Sequence, residues 1–392
     1  MRSHHIALVS MLATMIASAA ANDLSLQQPA DYQVIQRSSR EQGSVTIAGK
    51  LSEPVPSGDL LIQARFLGDQ QKDAAWLRVD GTVIGRELNG TLLAPAGGWW
   101  RMELRVSVDG QELARQEVPH VGVGELFVVA GQSNSANHGE EKQSPKSGLV
   151  ATFDGQSWRL AEDPQPGASG DGGSFMPPLG DAINAKEKVP VGFIACGIGA
   201  TSVREWLRRG ASFPNPPTIE SRVEKQLDGT WTSDGKAYDA FIARMKPLGV
   251  NGFRAVLWHQ GESDANQQDP SRTLPGSLYR EYLERLIRDS QRDLGWDAPW
   301  FVAQASYHVP GDEGSDDIRA AQSSLWHDGI ALQGPDSDAL KGSLRDGNGQ
   351  GVHFSGPGLR EHAAKWAERV LPWLEHQLKD EHKRGPSAFP IK

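Results

Sequence analysis

A serine, a histidine and a group of amides and carboxylates stand where this chain can assemble acyl-transfer chemistry. Ser133 lies in Gly131-Gln132-Ser133-Asn134, directly after the apolar run Leu126 to Ala130. Such a run reads as a strand buried on both faces, and ligands bind at the carboxyl ends of strands in an α/β sheet. If a helix starts there, its unpaired amides and dipole would stabilise an anion forming at Ser133. Serine is equally a favoured helix N-cap, so this stretch alone leaves nucleophile and cap open. His353, in Gly351-Val352-His353-Phe354-Ser355, precedes a C-terminal helical pattern and can fold back over the sheet to a serine hydroxyl.

Two more clusters follow predicted strands. Cys196-Gly197-Ile198-Gly199-Ala200-Thr201-Ser202, with Glu205 and Trp206 beyond, is small enough for close backbone approach. An amide of Gly199 or Ala200 can face a developing oxyanion; a glycine turn closing a strand is the plainer alternative. Trp258-His259-Gln260-Gly261-Glu262-Ser263-Asp264 gathers amide, imidazole and carboxylate at one strand end, which buried strand ends rarely do without reason. His259 and Glu262 do not make a metal site on this reading, because no third ligand accompanies them. Arg204 and Arg208, spaced one helical turn apart, read as a solvated helix face rather than a carboxylate-binding patch. Cys196 reads as a buried small hydrophobe, and Trp206, Trp258 and Trp326 as pocket lining or core.

The elements that must hold these residues follow from composition and pattern. The 392 residues exceed a comfortable single core, and two domains are expected. A hydrophobic fraction of 38% and a mean hydropathy of -0.46 describe a soluble globular chain. The net charge of -9 argues against nucleic-acid and anionic-membrane partners, while neutral sugars fit, and twelve Trp offer aromatic faces for them. Residues 1–21, with Arg2, His4 and His5 before the apolar stretch Ile6 to Ile16 and small residues to Ala21, have the layout of a cleaved secretory signal, which predicts a secreted or periplasmic protein. The single cysteine, Cys196, excludes an intrachain disulfide.

Residues 22–120 have an all-β texture, with strands expected at Tyr32 to Gln36, Val45 to Ile47, Leu60 to Phe66, Trp76 to Val79 and Trp100 to Val108. The turns expected between them include Asp80-Gly81, Asn89-Gly90 and Asp109-Gly110. That spacing predicts a small β-sandwich that braces the rest. From residue 121 strands and helices alternate: Leu126 to Ala130, Val189 to Ala195, Phe253 to Trp258, Trp300 to Gln304 and Ile330 to Gln333 are the predicted strands, with helices at Leu278 to Leu294 and Pro357 to Lys379, the latter kinked at Pro372. These imply a doubly wound, five-stranded parallel sheet with helices on both faces, over residues 121–380, and a tail at 381–392. The glycine-rich stretches Gly167 to Gly173 and Gly210 to Gly235 read as irregular loops walling the site.

Together, G-Q-S-N after a strand, G-I-G-A-T-S-V-R-E-W, W-H-Q-G-E-S-D and V-H-F-S before a helix resemble the SGNH-hydrolase superfamily. More narrowly they resemble its sialate O-acetylesterase-like carbohydrate acetylesterases, including the acetylxylan esterases of carbohydrate esterase family 6. The resemblance spans Glu125 to Leu371 and leaves the N-terminal region out. Ile318-Arg319-Ala320-Ala321-Gln322 and Gly334-Pro335-Asp336-Ser337-Asp338 also look like family segments.

The resemblance implies Ser133 as nucleophile, His353 as its base, and the Ser133 amide, the Gly199 amide and the Gln260 side chain as oxyanion donors. Gln132, Asn134 and Arg319 are further substrate-binding candidates, and no cofactor or metal is implied. At one position the chain departs: the family aspartate three residues before the histidine is Gln350 here. Two carboxylates can substitute, Asp346 through a four-residue insertion and Glu262 from its strand end, and Glu262 is favoured because a sheet edge positions a group more firmly than a glycine-rich loop. The expectation is an exported serine esterase that removes O-acetyl groups from sialic acid or a plant-type polysaccharide. Its alternatives are a lipase-like or other acyl esterase on the same fold and a catalytically impaired carbohydrate-binding protein.

Overall fold

The computed structural model of the protein describes residues 22–384. The expected signal segment 1–21 and residues 385–392 of the expected tail lie outside them. Six strands run parallel: β1 (Gln111–Gly131), β2 (Val150–Phe153), β3 (Val191–Ala195), β4 (Ala255–His259), β5 (Trp300–Gln304) and β6 (Leu332–Asp336). They stand side by side in the order β2-β3-β1-β4-β5-β6, with Trp158–Leu160 antiparallel on the outer edge of β2. The expected count of five is corrected by β2. Its four residues are too short to stand out in sequence, yet all are buried, Val150 on one face of the sheet and Phe153 on the other.

The alternation of a strand explains the two cores. Along β1, Leu126, Val128 and Ala130 point to one layer and Phe127 and Val129 to the other. The first layer is covered by α2 (Lys236–Met245), α3 (Gly276–Leu294) and α4 (Asp316–His327) through Phe241, Leu283 and Leu325. The second is covered by α1 (Met176–Glu187) and α5 (Gly356–Arg384) through Leu179, Ile183, Trp366 and Val370. α5 runs on through Pro372, past the expected Lys379 end. Trp206 and Trp258 are fully buried in the first core, so both are packing residues. The Gly210 to Gly235 stretch is not irregular: Ser212–Phe213, Val223–Lys225 and Trp231–Ser233 form a small antiparallel sheet.

The N-terminal residues form two β-sheets. Leu24–Gln28, Gln42–Leu51, Glu87–Pro95 and Asp80–Ile84 make one antiparallel sheet in that order. Leu60–Leu67, Leu77–Arg78, Gly97–Val108 and the first half of β1 make the other, and Val45, Ile47, Ile62, Leu104 and Val118 share one core. Asp109 and Gly110, both at positive φ, form the expected turn. Asp80-Gly81 and Asn89-Gly90 lie instead inside paired strands, where Gly90 faces Gly81 and a Cβ on Gly90 would fall 2.9 Å from the Gly81 Cα and 2.7 Å from Val79.

β1 runs unbroken for 21 residues from the N-terminal sheets into the parallel sheet, through the expected boundary at residue 120. Gln33–Gln36 pairs with it in parallel at Val121 to Gly124. Below the amino end of the parallel strands, fully buried Glu125 accepts from Arg37 Nε at 2.6 Å, Arg254 Nε at 2.7 Å and Gln36 Nε2 at 3.0 Å, and Arg37 also reaches Glu187 at the end of α1 (2.7 Å).

Candidate active site

The site forms where β1, β3 and β4 end. At Gly131 φ is +125°, and a Cβ there would fall 2.0 Å from the His259 carbonyl oxygen, so only glycine fits between the two strand ends. The chain then makes one short 3-10 turn, Ser133–Ser135, tied back when the Ser135 N–H and hydroxyl donate to the Gln132 carbonyl at 2.8 and 2.7 Å. No helix starts at Ser133, and α1 begins only at Met176. The expected helix-dipole contribution is therefore corrected: an anion at Ser133 meets the amides of a turn.

Ser133, Gln132, Gly199, Glu262 and His353 line one cavity of about 640 Å³. Among the described residues the Ser133 hydroxyl makes no hydrogen bond, and it shares the cavity with His353. His353 itself is held by Asp346. The Asp346 N–H donates to the His353 carbonyl at 2.9 Å, the His353 N–H donates to Asp346 Oδ1 at 3.1 Å, and Asp346 Oδ2 lies 3.4 Å from Nδ1 of the ring. Gly347, Asn348 and Gly349, at φ of 57°, 58° and 84°, turn the chain back on itself so that these two residues face each other. A Cβ at Gly351 would collide with the Asp346 carboxylate, so glycine is required there too.

This arrangement corrects the preference for Glu262 as the acid behind His353. Glu262 Oε1 accepts from Asn134 Nδ2 at 3.0 Å and lies 3.1 Å from Nε2 of His259; its Oε2 is buried and has no hydrogen-bond partner among the described residues. Burial by itself would raise the Glu262 pKa, but the His259 charge and hydrogen bond, helped by Asn134, outweigh it and bring it down to about 2. Asn134 also donates to the Val352 carbonyl at 3.2 Å, so it ties the serine turn to the histidine loop. His259 Nδ1 lies 3.2 Å from His362 Nε2, which also accepts from Trp366 Nε1 at 3.0 Å.

Two other expectations are corrected. Gln260 is fully buried and turned away: its Nε2 donates to Asp264 at 2.7 Å and to the Thr201 carbonyl at 3.0 Å, so it is not free to meet an oxyanion. Arg319 is an anchor rather than a substrate contact, donating to Asp336 and Asp338 at 2.8 Å. Gln132 lines the cavity while its Oε1 accepts from the Ser263 N–H at 3.0 Å, which joins the ends of β1 and β4. Arg204 is fully buried on a 3-10 turn, beside Asp264, and not on a solvated helix face; Arg208 lies against Asp289 and Asp293.

Sequence reasoning missed Ser169, His138, Arg222 and His308, all on the cavity wall. Ser169 comes from the Gly167 to Gly173 stretch and Arg222 from the stretch that holds the small sheet, so both walling loops do reach the site. Their signal was loop length alone, which names no residue.

The family model for carbohydrate esterase, sialic acid-specific acetylesterase, matches residues 123–371. None of the curated proteins matches the chain in sequence. Among solved structures the chain is similar to a carbohydrate acetylesterase from Xanthomonas citri, at 18% identity and a TM-score of 0.51 over 88% of this chain and 74% of that one. It is also similar to a protein from Arabidopsis thaliana, at 19% identity and a TM-score of 0.43 over 63% of this chain and 98% of that one. NanS is a third similar structure, at 15% identity and a TM-score of 0.42 over 64% and 98%.

Proposed function

Since the chain belongs to the carbohydrate esterase family of sialic acid-specific acetylesterases, we propose that it is an exported serine esterase that removes O-acetyl groups from carbohydrate through an acetyl-serine intermediate. The observation that carries this reading is the convergence of Ser133 and an Asp346-held His353 on one cavity.

A serine hydroxyl is a weak nucleophile at neutral pH and needs an adjacent base. As Ser133 Oγ attacks the acetyl carbon, its proton passes to His353, and Asp346 holds the ring and stabilises the imidazolium. The negative charge that develops on the acyl oxygen meets the amides of the Ser133 turn; the Gly199 N–H, the other expected backbone donor, is taken up by Ser169 Oγ at 2.6 Å. His353 then protonates the departing sugar oxygen, and water activated by the same imidazole releases acetate. Asn134 and Gln132 keep the serine turn in register with the histidine loop and the end of β4. No step calls on a metal or cofactor.

We read the two N-terminal sheets as a β-sandwich that braces the catalytic part through the continuous β1. Arg222, held by the Gly199 carbonyl at 2.9 Å and by Glu205 at 3.3 Å, brings a cation to the cavity wall and favours an acidic sugar such as sialate over neutral xylan.

The test is turnover of p-nitrophenyl acetate, p-nitrophenyl octanoate, O-acetylated sialic acid and acetylated xylan, with Ser133→Ala as control. Serine-dependent release of acetate, with sialate ahead of xylan, supports the proposal. Preference for octanoate makes the protein a lipase-like esterase, and silence on all four with retained glycan binding makes it a binding protein.

A further inference from the structure

The Gly199 amide is not open to the cavity. Its N–H donates to Ser169 Oγ at 2.6 Å. Ser169 lies in a glycine-rich stretch, yet its backbone is fixed on both sides: its N–H donates to the Gly197 carbonyl and its carbonyl accepts from the Asn137 N–H, each at 2.9 Å. Those two anchors belong to the turns after β3 and β1, the turns that carry Gly199 and Ser133. The hydroxyl has a third neighbour, Nε2 of His138 at 3.1 Å, and the His138 ring stacks on His353 with centroids 5.3 Å apart and planes 28° from parallel. Ser133, His138, Ser169, Gly199 and His353 line the same cavity.

A serine hydroxyl has two acceptor sites and one proton to donate. Burial, and after it the nearby His353, lower the His138 pKa, so its imidazole is neutral at neutral pH and holds one ring proton. Assigning that proton to Nε2 fills both acceptor sites of Ser169, one by His138 and one by Gly199, and directs its own proton elsewhere. Two N–H donors also polarise the hydroxyl and make it a stronger donor.

We propose that Ser169 is a further catalytic residue, whose hydroxyl carries the Gly199 and His138 hydrogen bonds on to the acyl oxygen as an oxyanion donor. When Ser133 Oγ bonds to the acetyl carbon, the carbonyl π pair moves onto oxygen and the Ser133 proton moves to His353. The Ser169 proton stays on Oγ and is shared with the oxyanion as a hydrogen bond, which is released when the C–O bond to the sugar breaks. His138 serves as a positioning residue for both Ser169 and His353. The inference rests on the esterase reading above.

The test compares the full-length enzyme with Ser169→Ala, Ser169→Thr and Ser133→Ala on p-nitrophenyl acetate, and measures inhibition by ethaneboronic acid, whose tetrahedral adduct needs the same donors. Loss of one oxyanion donor should lower kcat of Ser169→Ala on the order of a hundredfold, with KM within about threefold and the boronate Ki raised in parallel. Ser169→Thr, which keeps the hydroxyl, should recover most of kcat. A Ser169→Ala enzyme at full or raised kcat overturns the proposal, because Ser169 is then a plug over the Gly199 amide; so does Ser169→Thr as slow as Ser169→Ala, which traces the loss to packing. Activity that survives in Ser133→Ala overturns the acetyl-Ser133 intermediate on which the inference rests, a separate failure.

Discussion

At the amino end of the parallel sheet, Glu125 has both carboxylate oxygens paired, to Arg37, Arg254 and Gln36. At the carboxyl end, Glu262 is as deeply buried, but one of its oxygens has no partner among the described residues, and neither has Gln260 Oε1 beside it. Burial would raise the pKa of either acid; Arg254 and Arg37 outweigh it at Glu125, and one imidazole and one amide do so at Glu262. A buried polar atom without a partner costs free energy, and native structures keep few of them. The Glu125 cluster is complete within the protein, and its charges join the N-terminal sheets to the parallel sheet. At the carboxyl end Glu262, which lines the cavity, keeps one oxygen in reserve among the described residues.

The comparison breaks first at Glu125. Glu125→Ala leaves two guanidinium groups short of their counter-charge and should cost about 3–5 kcal/mol of stability, read by urea unfolding, while the folded fraction keeps its kcat. A loss under about 1 kcal/mol, or a fall in kcat of the folded enzyme, would show that the two ends are not separable in this way. At the other end, Asp346→Asn should lower kcat roughly a hundredfold, about 2.7 kcal/mol of barrier, and Glu262→Gln by about tenfold or less, because it orients Asn134 and not the ring. If Glu262→Gln is the slower enzyme, the sequence-based preference for that acid is restored.

That reversal shows where sequence reading runs out. Strands β1, β3, β4 and β5 are legible because a strand buried on both faces must be a continuous apolar run; Ser133 and Gly199 are legible because each follows such a strand, and His353 because it precedes the periodic helix α5. Side-chain direction is not encoded that way. Gln260 and Glu262 share one strand end, and only the three-dimensional positions of Asp264 and His259 decide where each points. Asp346 is brought to His353 by a run of left-handed residues whose path a glycine-rich sequence permits but does not specify. Ser169 and His138 have no local signal, since their roles arise from neighbours distant in the chain. β2 was hidden by its length, and the unbroken course of β1 by a change of texture at residue 121 that marks a change of neighbours rather than a break in the strand.

The two ends should also part in acid. His362, buried at the base of the Glu262 cluster, has its pKa lowered well below the usual 6.5, by burial first and then by His259 and Arg345. Its folded-state pKa lies below its unfolded one, so below about pH 6.5 the unfolded chain binds a proton that the folded chain refuses. Stability should therefore fall with pH by about 1.4 kcal/mol per unit from this group, and His138 shifts with the same sign. The Glu125 pKa is lowered from 4.5, so its contribution is lost only below that value. His362→Phe, set among Phe175, Phe354 and Trp366, should be less stable at pH 8, because Trp366 and His259 lose their acceptor, but its stability should decline less steeply between pH 6.5 and 5. An unchanged slope would remove His362 as the acid-sensitive group.

The smallest effect is expected at Arg319, which tests whether reserve capacity at the carboxyl end is confined to the cavity. Asp338, one of its two carboxylate partners, also accepts from the Ser306 N–H at 2.8 Å, the Ser306 hydroxyl at 2.7 Å and the Tyr307 N–H at 3.0 Å, so it stays satisfied without the arginine. Asp336, the other, is 40% exposed and can turn to solvent. Arg319→Ala should therefore cost only about 1 kcal/mol of stability and leave KM for every acetylated sugar unchanged. A rise in KM confined to acidic sugars would return Arg319 to the substrate-binding role that its sequence motif implies, and would place a second cation beside Arg222 in recognition.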